Sequence, residues 1–149
     1  MGRRQKPWGG TVIEGNSGLL VHKPETTYLN PAIRVRYERE YVLVALVGEI
    51  DYAAVAGLRE RLFALAASGR QVVADLDRVS FIDAAGIGVL AGAARRAAVR
   101  GSTLYVICAR RQTRRLIRLT GLDRVVSLTG DITEALQLLA TPVPARAVV

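Results

Sequence analysis

The chain has 149 residues, of which 50% are hydrophobic, and its 21 lysine and arginine residues outnumber its 13 aspartate and glutamate residues to give a formal net charge of +8. This length and apolar content predict one globular domain with a real core. A single cysteine, Cys108, excludes an intrachain disulfide framework, and no apolar stretch reaches the ~20 residues that span a bilayer, so we expect a soluble, cytoplasmic protein in which Cys108 is a buried structural thiol.

Residues 1–31 are predicted to form a flexible N-terminal extension. They are rich in glycine, proline, asparagine and threonine and show no helical or alternating pattern, and their start lacks the hydrophobic segment of a secretory signal. Trp8 and His22 lie in this extension, and neither is a good catalytic candidate because the residues around them are not expected to hold a fixed geometry. The folded domain is predicted to span residues 32–140, followed by a short proline-containing tail over 141–149.

The domain is predicted to begin with a β-hairpin and a helix. IRVRYE (33–38) alternates apolar and polar residues, and YVLVALVGEI (41–50) is almost wholly apolar, as in a buried strand. Asp51 is then placed to cap the first turn of a helix that ends at Ser68 and Gly69. One face of this helix carries the apolar residues Val55, Leu58, Leu62 and Leu65.

A second strand-to-helix junction is predicted at FIDAAGIGVL (81–90), after the β-branched run VVADL (72–76). Asp83 is expected to be the N-cap and to accept hydrogen bonds from the backbone N–H groups near Ala85 and Gly86, a contribution of ~1 kcal/mol. The apolar residues that then repeat at helical spacing are Ile87, Leu90, Ala91, Ala94 and Ala98.

Two glycines, Gly86 and Gly88, are unusual at the start of a helix. Each costs roughly 0.5–1 kcal/mol relative to alanine, and such a cost is tolerated where the backbone approaches another surface closely. That surface is either the sheet beneath the helix or a partner above it.

The rest of the chain continues the alternation of strands and helices. Further strands are predicted at TLYVIC (103–108) and VVSL (125–128), a short helix at LIRLTG (116–121), and a last helix, with capping-box spacing at its start, at DITEALQLLA (131–140). Such alternation implies parallel pairing through right-handed crossovers. The predicted fold is therefore α/β, with a mostly parallel sheet of about five strands, an N-terminal hairpin and about four helices.

Four segments of the chain carry a family resemblance: GEID (48–51), VVADLDRVSFIDAAGIGVL (72–90), GSTLYVIC (101–108) and LIRLTGLDRV (116–125). The most specific part is an acid followed by two small residues, a glycine, an aliphatic residue and a glycine. Over about residues 32–140, the chain resembles the STAS domain of bacterial anti-sigma factor antagonists of the sporulation and general-stress type. The resemblance implies a STAS-like fold and a protein that binds an anti-sigma factor, itself a serine kinase, and so releases the sigma factor.

The resemblance also implies which position of the family Ala84 occupies. In this family, the first small residue after the helix-starting acid is normally the serine that the kinase phosphorylates, and here it corresponds to Ala84. Phosphoryl transfer needs an oxygen nucleophile, so a methyl side chain removes that reaction, together with the ~2 negative charges that would disrupt the interface. Ala84 is consistent with an antagonist fixed in its binding-competent form, with a partner that is not a kinase, or with an introduced substitution.

The helix start and the resemblance together predict a partner-binding surface. We expect exposed aliphatic residues of this helix at its centre and arginines nearer its rim, where they steer association. The residues assigned to it are Asp51, Asp83, Ala84, Ala85, Gly86, Ile87, Gly88, Leu90 and Arg95. No cofactor or metal is expected, and the expected oligomeric state is a monomer or a weak dimer.

The arginine-rich segment RRQTRRLIR (110–118) supports a different hypothesis. No acidic residue lies between Asp83 and Asp123, and the arginines in that stretch are Arg95, Arg96, Arg100, Arg110, Arg111, Arg114, Arg115 and Arg118. We expect one electropositive side of the fold, which is either a solvated surface or a site for nucleic acid or a nucleotide. Nucleic acid is the less favoured partner, because the segment has no interleaved aromatic residue and no recognition-helix motif.

Two further functional classes have less support. The chain has no phosphate-binding loop, no paired histidines and no hydroxyl nucleophile with a base at recognisable spacing, so it is not predicted to be an enzyme. Asp51 and Asp83 are better explained as caps than as an acid/base pair. A scaffold of stacked STAS domains in a larger signalling assembly is a variant of the binding hypothesis.

Overall fold

The computed structural model describes residues 3–5, 11–13 and 32–141. Within the first two ranges, strand β1 (Arg3–Gln5) pairs antiparallel with strand β2 (Thr11–Ile13). Trp8, His22 and nearly all of the predicted C-terminal tail lie outside the described residues. The division into an extension, a domain and a tail therefore stays a prediction.

The domain opens with the predicted antiparallel hairpin. Strand β3 (Ala32–Tyr37) pairs with strand β4 (Tyr41–Ile50), and the backbone N–H of Glu38 closes the turn on the carbonyl oxygen of Tyr41 at 2.9 Å. Arg70, which precedes the next strand, donates from Nη2 to the carbonyl oxygens of Glu38 and Tyr41. The hairpin turn is thus held by a side chain from outside the hairpin.

A five-stranded sheet forms the centre of the fold. Its strand order is β3-β4-β5-β6-β7, where β5 is Gln71–Ile82, β6 is Leu104–Ile107 and β7 is Ser127–Thr129. Strands β4 to β7 pair in parallel, so their carboxyl ends share one edge of the sheet, here called the carboxyl edge. The predicted mostly parallel sheet begun by a hairpin is confirmed.

Strand β5 is longer than the predicted VVADL segment. It continues to Ile82, paired with β4 through two register shifts, in each of which β5 has one residue more than β4. The segment between VVADL and Asp83 is therefore also part of the strand. The shifts lie between the pairs Ala45–Asp75 and Val47–Arg78, and between Gly48–Val79 and Glu49–Phe81.

Four α-helices follow the parallel strands within residues 32–141. They are α1 (Val55–Ala67), α2 (Ala84–Val99), α3 (Arg111–Leu119) and α4 (Ile132–Ala140). Helix α3 starts five residues earlier than the predicted LIRLTG segment, and β7 starts at Ser127 rather than Val125, since a 3-10 turn (Leu122–Arg124) precedes it. None of these four helices combines the length and the apolar character needed to cross a membrane.

The two faces of the sheet are covered unequally. On one face, α1, α2 and α3 contribute Leu58, Leu90 and Ile117 to the larger cluster of buried residues. On the other face, α4 packs Ala135 into a smaller cluster that also contains Leu43, Ala45, Val73, Tyr105 and Ile107. Helices α1, α2 and α3 therefore all begin at the carboxyl edge on the same face of the sheet.

Cys108 is buried directly after strand β6. Its Sγ lies 3.8 Å from the carbonyl oxygen of Arg110, and burial raises the pKa of the thiol. The predicted burial of this thiol is confirmed.

Candidate functional site

Asp83 fixes the start of helix α2 against the end of strand β4. Its backbone is extended, and its Oδ1 accepts hydrogen bonds from the N–H groups of Ala85 at 3.0 Å and Gly86 at 3.1 Å. Its own N–H donates to the carbonyl oxygen of Ile50 at 3.3 Å. The predicted N-cap is confirmed, and it satisfies two N–H groups that the first helical turn leaves without intrahelical partners.

Asp51 directly follows the end of β4, the strand next to β5. Ile50 and Ile82 are paired in the parallel register, so the residues that follow them, Asp51 and Asp83, lie at the same part of the carboxyl edge. Asp51 Oδ1 accepts a hydrogen bond from the N–H of Ala54 at 3.0 Å and closes the turn before α1. It caps that turn and not the helix itself, whose N-cap is Ala54.

The two glycines of the helix start have different roles. A Cβ atom at Gly86 would lie 2.6 Å from Cγ2 of Ile50 and 2.8 Å from Cγ1 of Ile82, closer than packed atoms tolerate. A Cβ atom at Gly88 would have no neighbour within 4 Å among the described residues. Gly86 thus allows α2 to lie against the ends of β4 and β5, whereas Gly88 leaves an exposed backbone surface.

Three residues predicted to contact a partner are buried instead. Gly86 is buried, Ile87 is 6% exposed and Leu90 is 0% exposed. The expectation of exposed aliphatic residues at the centre of the surface is wrong for Ile87 and Leu90, because their helical spacing turns both toward the sheet and into the core.

The outward face of α2 consists of small residues and an arginine. Ala84, Gly88 and Arg95 are exposed and are spaced by four and seven residues, so they share one face. Because two of these positions have at most a methyl group, another backbone can approach this face closely. The predicted residues that remain accessible are Asp51, Asp83, Ala84, Ala85, Gly88 and Arg95.

The carboxyl edge also carries two exposed aromatic residues that the sequence patterns did not single out. Tyr52, directly after Asp51, is 83% exposed, and Phe81, in β5, is 49% exposed. Period-two alternation does not signal Phe81, because the register shift between Val79 and Phe81 leaves two consecutive residues, Ser80 and Phe81, exposed before the buried Ile82. Aromatic residues are enriched in protein interfaces.

Arg96 differs from Arg95 in having an internal partner. Its guanidinium carbon lies 3.7 Å from the centroid of the Phe63 ring, and its Nη1 donates to the carbonyl oxygen of Gly92 at 3.2 Å. Arg96 therefore joins α2 to α1 by a cation–π contact. Arg95 is also exposed and makes no such contact within residues 32–141.

Two arginines of the segment 110–118 bind backbone carbonyl oxygens. Arg110 Nη1 donates to Val79 at 2.6 Å, and Arg114 Nη1 donates to Cys108 at 2.7 Å and to Thr129 at 3.3 Å. These contacts join β5, β6 and β7 near the carboxyl edge, so part of the predicted basic patch has a structural role.

Comparisons with known proteins agree with this architecture. The sequence profile of the STAS domain matches residues 32–135. The chain is 29% identical over 102 residues to the anti-sigma-B factor antagonist of Bacillus subtilis, a match that covers 68% of this chain and 94% of that protein. It resembles the crystal structure of an anti-sigma factor antagonist from Mycobacterium paratuberculosis with a TM-score of 0.67 and 27% identity, over 73% of this chain and 93% of the other. Its fold also resembles that of the Bacillus cell fate determinant SpoIIAA in the phosphorylated form, with a TM-score of 0.58 and 22% identity, over 72% of this chain and 99% of the other.

Proposed function

This chain belongs to the STAS domain family, and we propose that it is a regulatory protein-binding module that acts as an anti-sigma factor antagonist. Its partner is then an anti-sigma factor, and binding frees the sigma factor that this partner holds. The names of the relatives from Bacillus subtilis and Mycobacterium paratuberculosis support the regulatory role. The carboxylates of Asp51 and Asp83 accept backbone hydrogen bonds as caps, which supports a binding role over an acid/base role.

The proposed contact surface is the start of α2 with the adjoining carboxyl edge. Ala84 and Gly88 permit close approach of a partner's backbone, and Tyr52 and Phe81 are exposed aromatic residues at the same carboxyl edge. Arg95 lies farther along α2, at the rim, where a charge mainly raises the association rate. The observation that carries the proposal is that this helix start is exposed, nearly free of side chains and fixed in place by the Asp83 cap.

Ala84 removes a covalent means of releasing the partner. By the family resemblance it occupies the position of the phosphorylated serine, and Bacillus SpoIIAA has a phosphorylated form. A methyl side chain has no oxygen that can accept a phosphoryl group. The proposed antagonist therefore binds its partner without being released by phosphorylation at residue 84.

Affinity capture from the source organism tests the proposal. The tagged chain captures its partner, mass spectrometry identifies it, and the complex is then incubated with ATP and Mg²⁺. We expect an anti-sigma factor whose complex persists with ATP and carries no phosphate on residue 84. Specific capture of a protein unrelated to sigma-factor regulation would contradict the proposed function.

Substitutions at residue 84 locate the contact surface. Ala84→Glu places volume and charge at its centre and should weaken binding by about 100-fold, whereas Ala64→Glu, at an exposed alanine of α1, should leave binding unchanged. Equal binding by both variants places the interface elsewhere. Ala84→Ser should bind and then be phosphorylated and released with ATP; if it binds and ATP neither modifies nor loosens it, the partner is not the expected kinase.

A further inference from the structure

Helix α3 carries an arginine surface that the proposed function does not use. Arg111, Arg115 and Arg118 are exposed and are spaced by four and three residues, so they form one stripe along the helix. Within residues 32–141, none of the three has an ion pair or a side-chain hydrogen bond. Like charges at this spacing repel one another and destabilise the helix, and no contact among these residues offsets that repulsion.

The stripe lies in a surface groove. The described part of its lining belongs entirely to α3 and consists of Arg111, Gln112, Arg114, Arg115, Arg118 and Leu119. Arg114 already donates to the carbonyl oxygens of Cys108 and Thr129, so the charges available to a ligand are those of the stripe. Leu119, at the end of the helix, is 73% exposed and adds an apolar contact to the cationic ones.

The groove and the proposed contact surface lie on the same face of the sheet. Helices α2 and α3 both begin at the carboxyl edge, and both pack into the same core cluster through Leu90 and Ile117. Arg110, the residue before α3, is bonded to the carbonyl oxygen of Val79 in the last part of β5, the strand that leads into Asp83. A partner that covers the start of α2 can therefore also reach the stripe.

A protein fits this groove better than a nucleic acid does. A polyphosphate strand that crossed the carboxyl edge would pass the carboxylates of Asp51 and Asp83, which repel it. None of the groove's described lining residues is aromatic, so these residues offer no platform on which a base could stack. A protein surface can present carboxylates to the arginines and apolar groups to Leu119 at the same time.

We infer that the α3 groove is a second contact site for the partner, and that it receives an acidic, amphipathic helix whose carboxylates are spaced to match Arg111, Arg115 and Arg118. Guanidinium groups pair with carboxylates in a bidentate geometry, and a facing helix has the same rise per residue as α3. The inference rests on the proposed function only in assigning this segment to the anti-sigma factor. The acidic preference of the groove rests on the stripe itself.

A designed peptide tests the groove without the partner. The probe is a fluorescein-labelled helical peptide of about 16 residues with glutamates spaced by four and three residues and leucines on the adjoining face; a scrambled peptide of equal composition is the control. The full-length chain is titrated against both at ~50 mM salt by fluorescence anisotropy. We expect Arg111→Gln/Arg115→Gln/Arg118→Gln to bind the ordered peptide about tenfold more weakly than the unsubstituted chain.

A matched triple variant separates a site from a general charge effect. Arg39→Gln/Arg59→Gln/Arg61→Gln removes the same charge from exposed arginines outside α3 and should bind the ordered peptide like the unsubstituted chain. Equal losses in the two triple variants, or equal binding of the ordered and scrambled peptides, would overturn the inference, because net charge alone would then explain the affinity.

Two further measurements distinguish the alternatives. A DNA duplex of about 20 base pairs that binds more tightly than the peptide, through the same three arginines, would make the groove a nucleic-acid site and the inference wrong. Ala84→Glu should leave peptide binding unchanged, since it lies outside the groove. A failure of the proposed function at α2 is therefore distinguishable from a failure of the groove at α3.

Discussion

Helices α2 and α3 begin at the same edge of the sheet, yet their first turns are stabilised in different ways. At α2, the carboxylate of Asp83 accepts hydrogen bonds from two backbone N–H groups, which belong to residues two and three positions later in the chain. At α3, the preceding residue is Arg110, no side chain caps the helix, and no acidic residue lies in its first turn. A helix start can thus be specified by a neighbouring side chain or by contacts with distant strands.

Three side-chain contacts at the start of α3 reach across the fold. Arg110 binds a carbonyl oxygen of β5, and Arg114 binds the carbonyl oxygen of Thr129 at the end of β7. Asp77, in β5, accepts a hydrogen bond from the N–H of Ala109 at 2.8 Å, just before the helix. Because each of these partners is supplied by another strand, the start of α3 depends on the assembled sheet.

Removing Arg114 should give the largest loss of stability. Arg114→Met keeps an aliphatic side chain but leaves the carbonyl oxygens of Cys108 and Thr129 without their charged donor, which we expect to lower the free energy of unfolding by about 2–3 kcal/mol. Urea denaturation measures the change. Arg115→Met, at an exposed position, should change it by less than about 0.5 kcal/mol, and similar effects for both variants would show that these bonds do not hold α3.

At α2, the two glycines should respond in opposite directions. Gly86→Ala forces a methyl group against Ile50 and Ile82 and should lower the free energy of unfolding by about 1–3 kcal/mol. Gly88→Ala fills open space in a helix and should raise it by about 0.5–1 kcal/mol. Denaturant unfolding of both variants checks the pair, and stabilisation by Gly86→Ala would contradict the close packing of α2 on the sheet.

Loss of the local cap should have a smaller effect than loss of Arg114. Asp83→Ala leaves the N–H groups of Ala85 and Gly86 without their acceptor and should cost about 1 kcal/mol, measured by thermal or urea unfolding. Asp83→Asn retains a side-chain oxygen and should recover most of the difference. If alanine and asparagine are equally destabilising, the hydrogen bonds of the cap are not the cause.

The smallest effect is expected at Asp75, whose Oδ1 accepts a hydrogen bond from the N–H of Asp77 at 2.9 Å. Burial raises the pKa of the Asp75 carboxyl above its ordinary value of 3.8, outweighing that backbone hydrogen bond. The folded chain therefore binds this proton more tightly than the unfolded chain, and the contribution of Asp75 to stability falls as pH rises above that value.

Asp75→Asn retains the acceptor oxygen and removes the titration. We expect its free energy of unfolding at pH 7 to exceed that of the unsubstituted chain by less than about 0.5 kcal/mol, and its stability to decline less between about pH 4 and pH 7. Urea unfolding over this pH range gives both values. A steeper decline in the variant would contradict the raised pKa.

Much of the fold was predictable because its signals are local. The apolar run of β4, the helical spacing of α1 and the Asp83 cap each involve residues within a few positions of one another. The extent of β5 was not predictable in this way, because its last residues are held in the strand by pairing with β4 through register shifts. The start of α3 at Arg111 likewise depends on carbonyl oxygens from other strands.

The residues of the candidate site also divide into those that local sequence signals predicted and those whose placement depends on the tertiary fold. The sequence itself shows Asp83 and Ala84, and it therefore shows that the side chain of residue 84 has no hydroxyl group. The assignment of Ile87 and Leu90 to the surface was wrong although their helical spacing with Ala94 indicates a core face. The exposure of Tyr52 depends on the turn that Asp51 closes, which the spacing of apolar residues does not describe.

Sequence alone determined which atoms are present at the helix start: a capping carboxylate, a methyl side chain at residue 84, and glycines without side chains. Tertiary structure decided that Gly86 faces the sheet while Gly88 stays open, and which arginines bind carbonyl oxygens rather than remain available. The reason is physical: a cap acts within one helical turn, whereas burial and side-chain pairing depend on which distant segments the fold brings into contact.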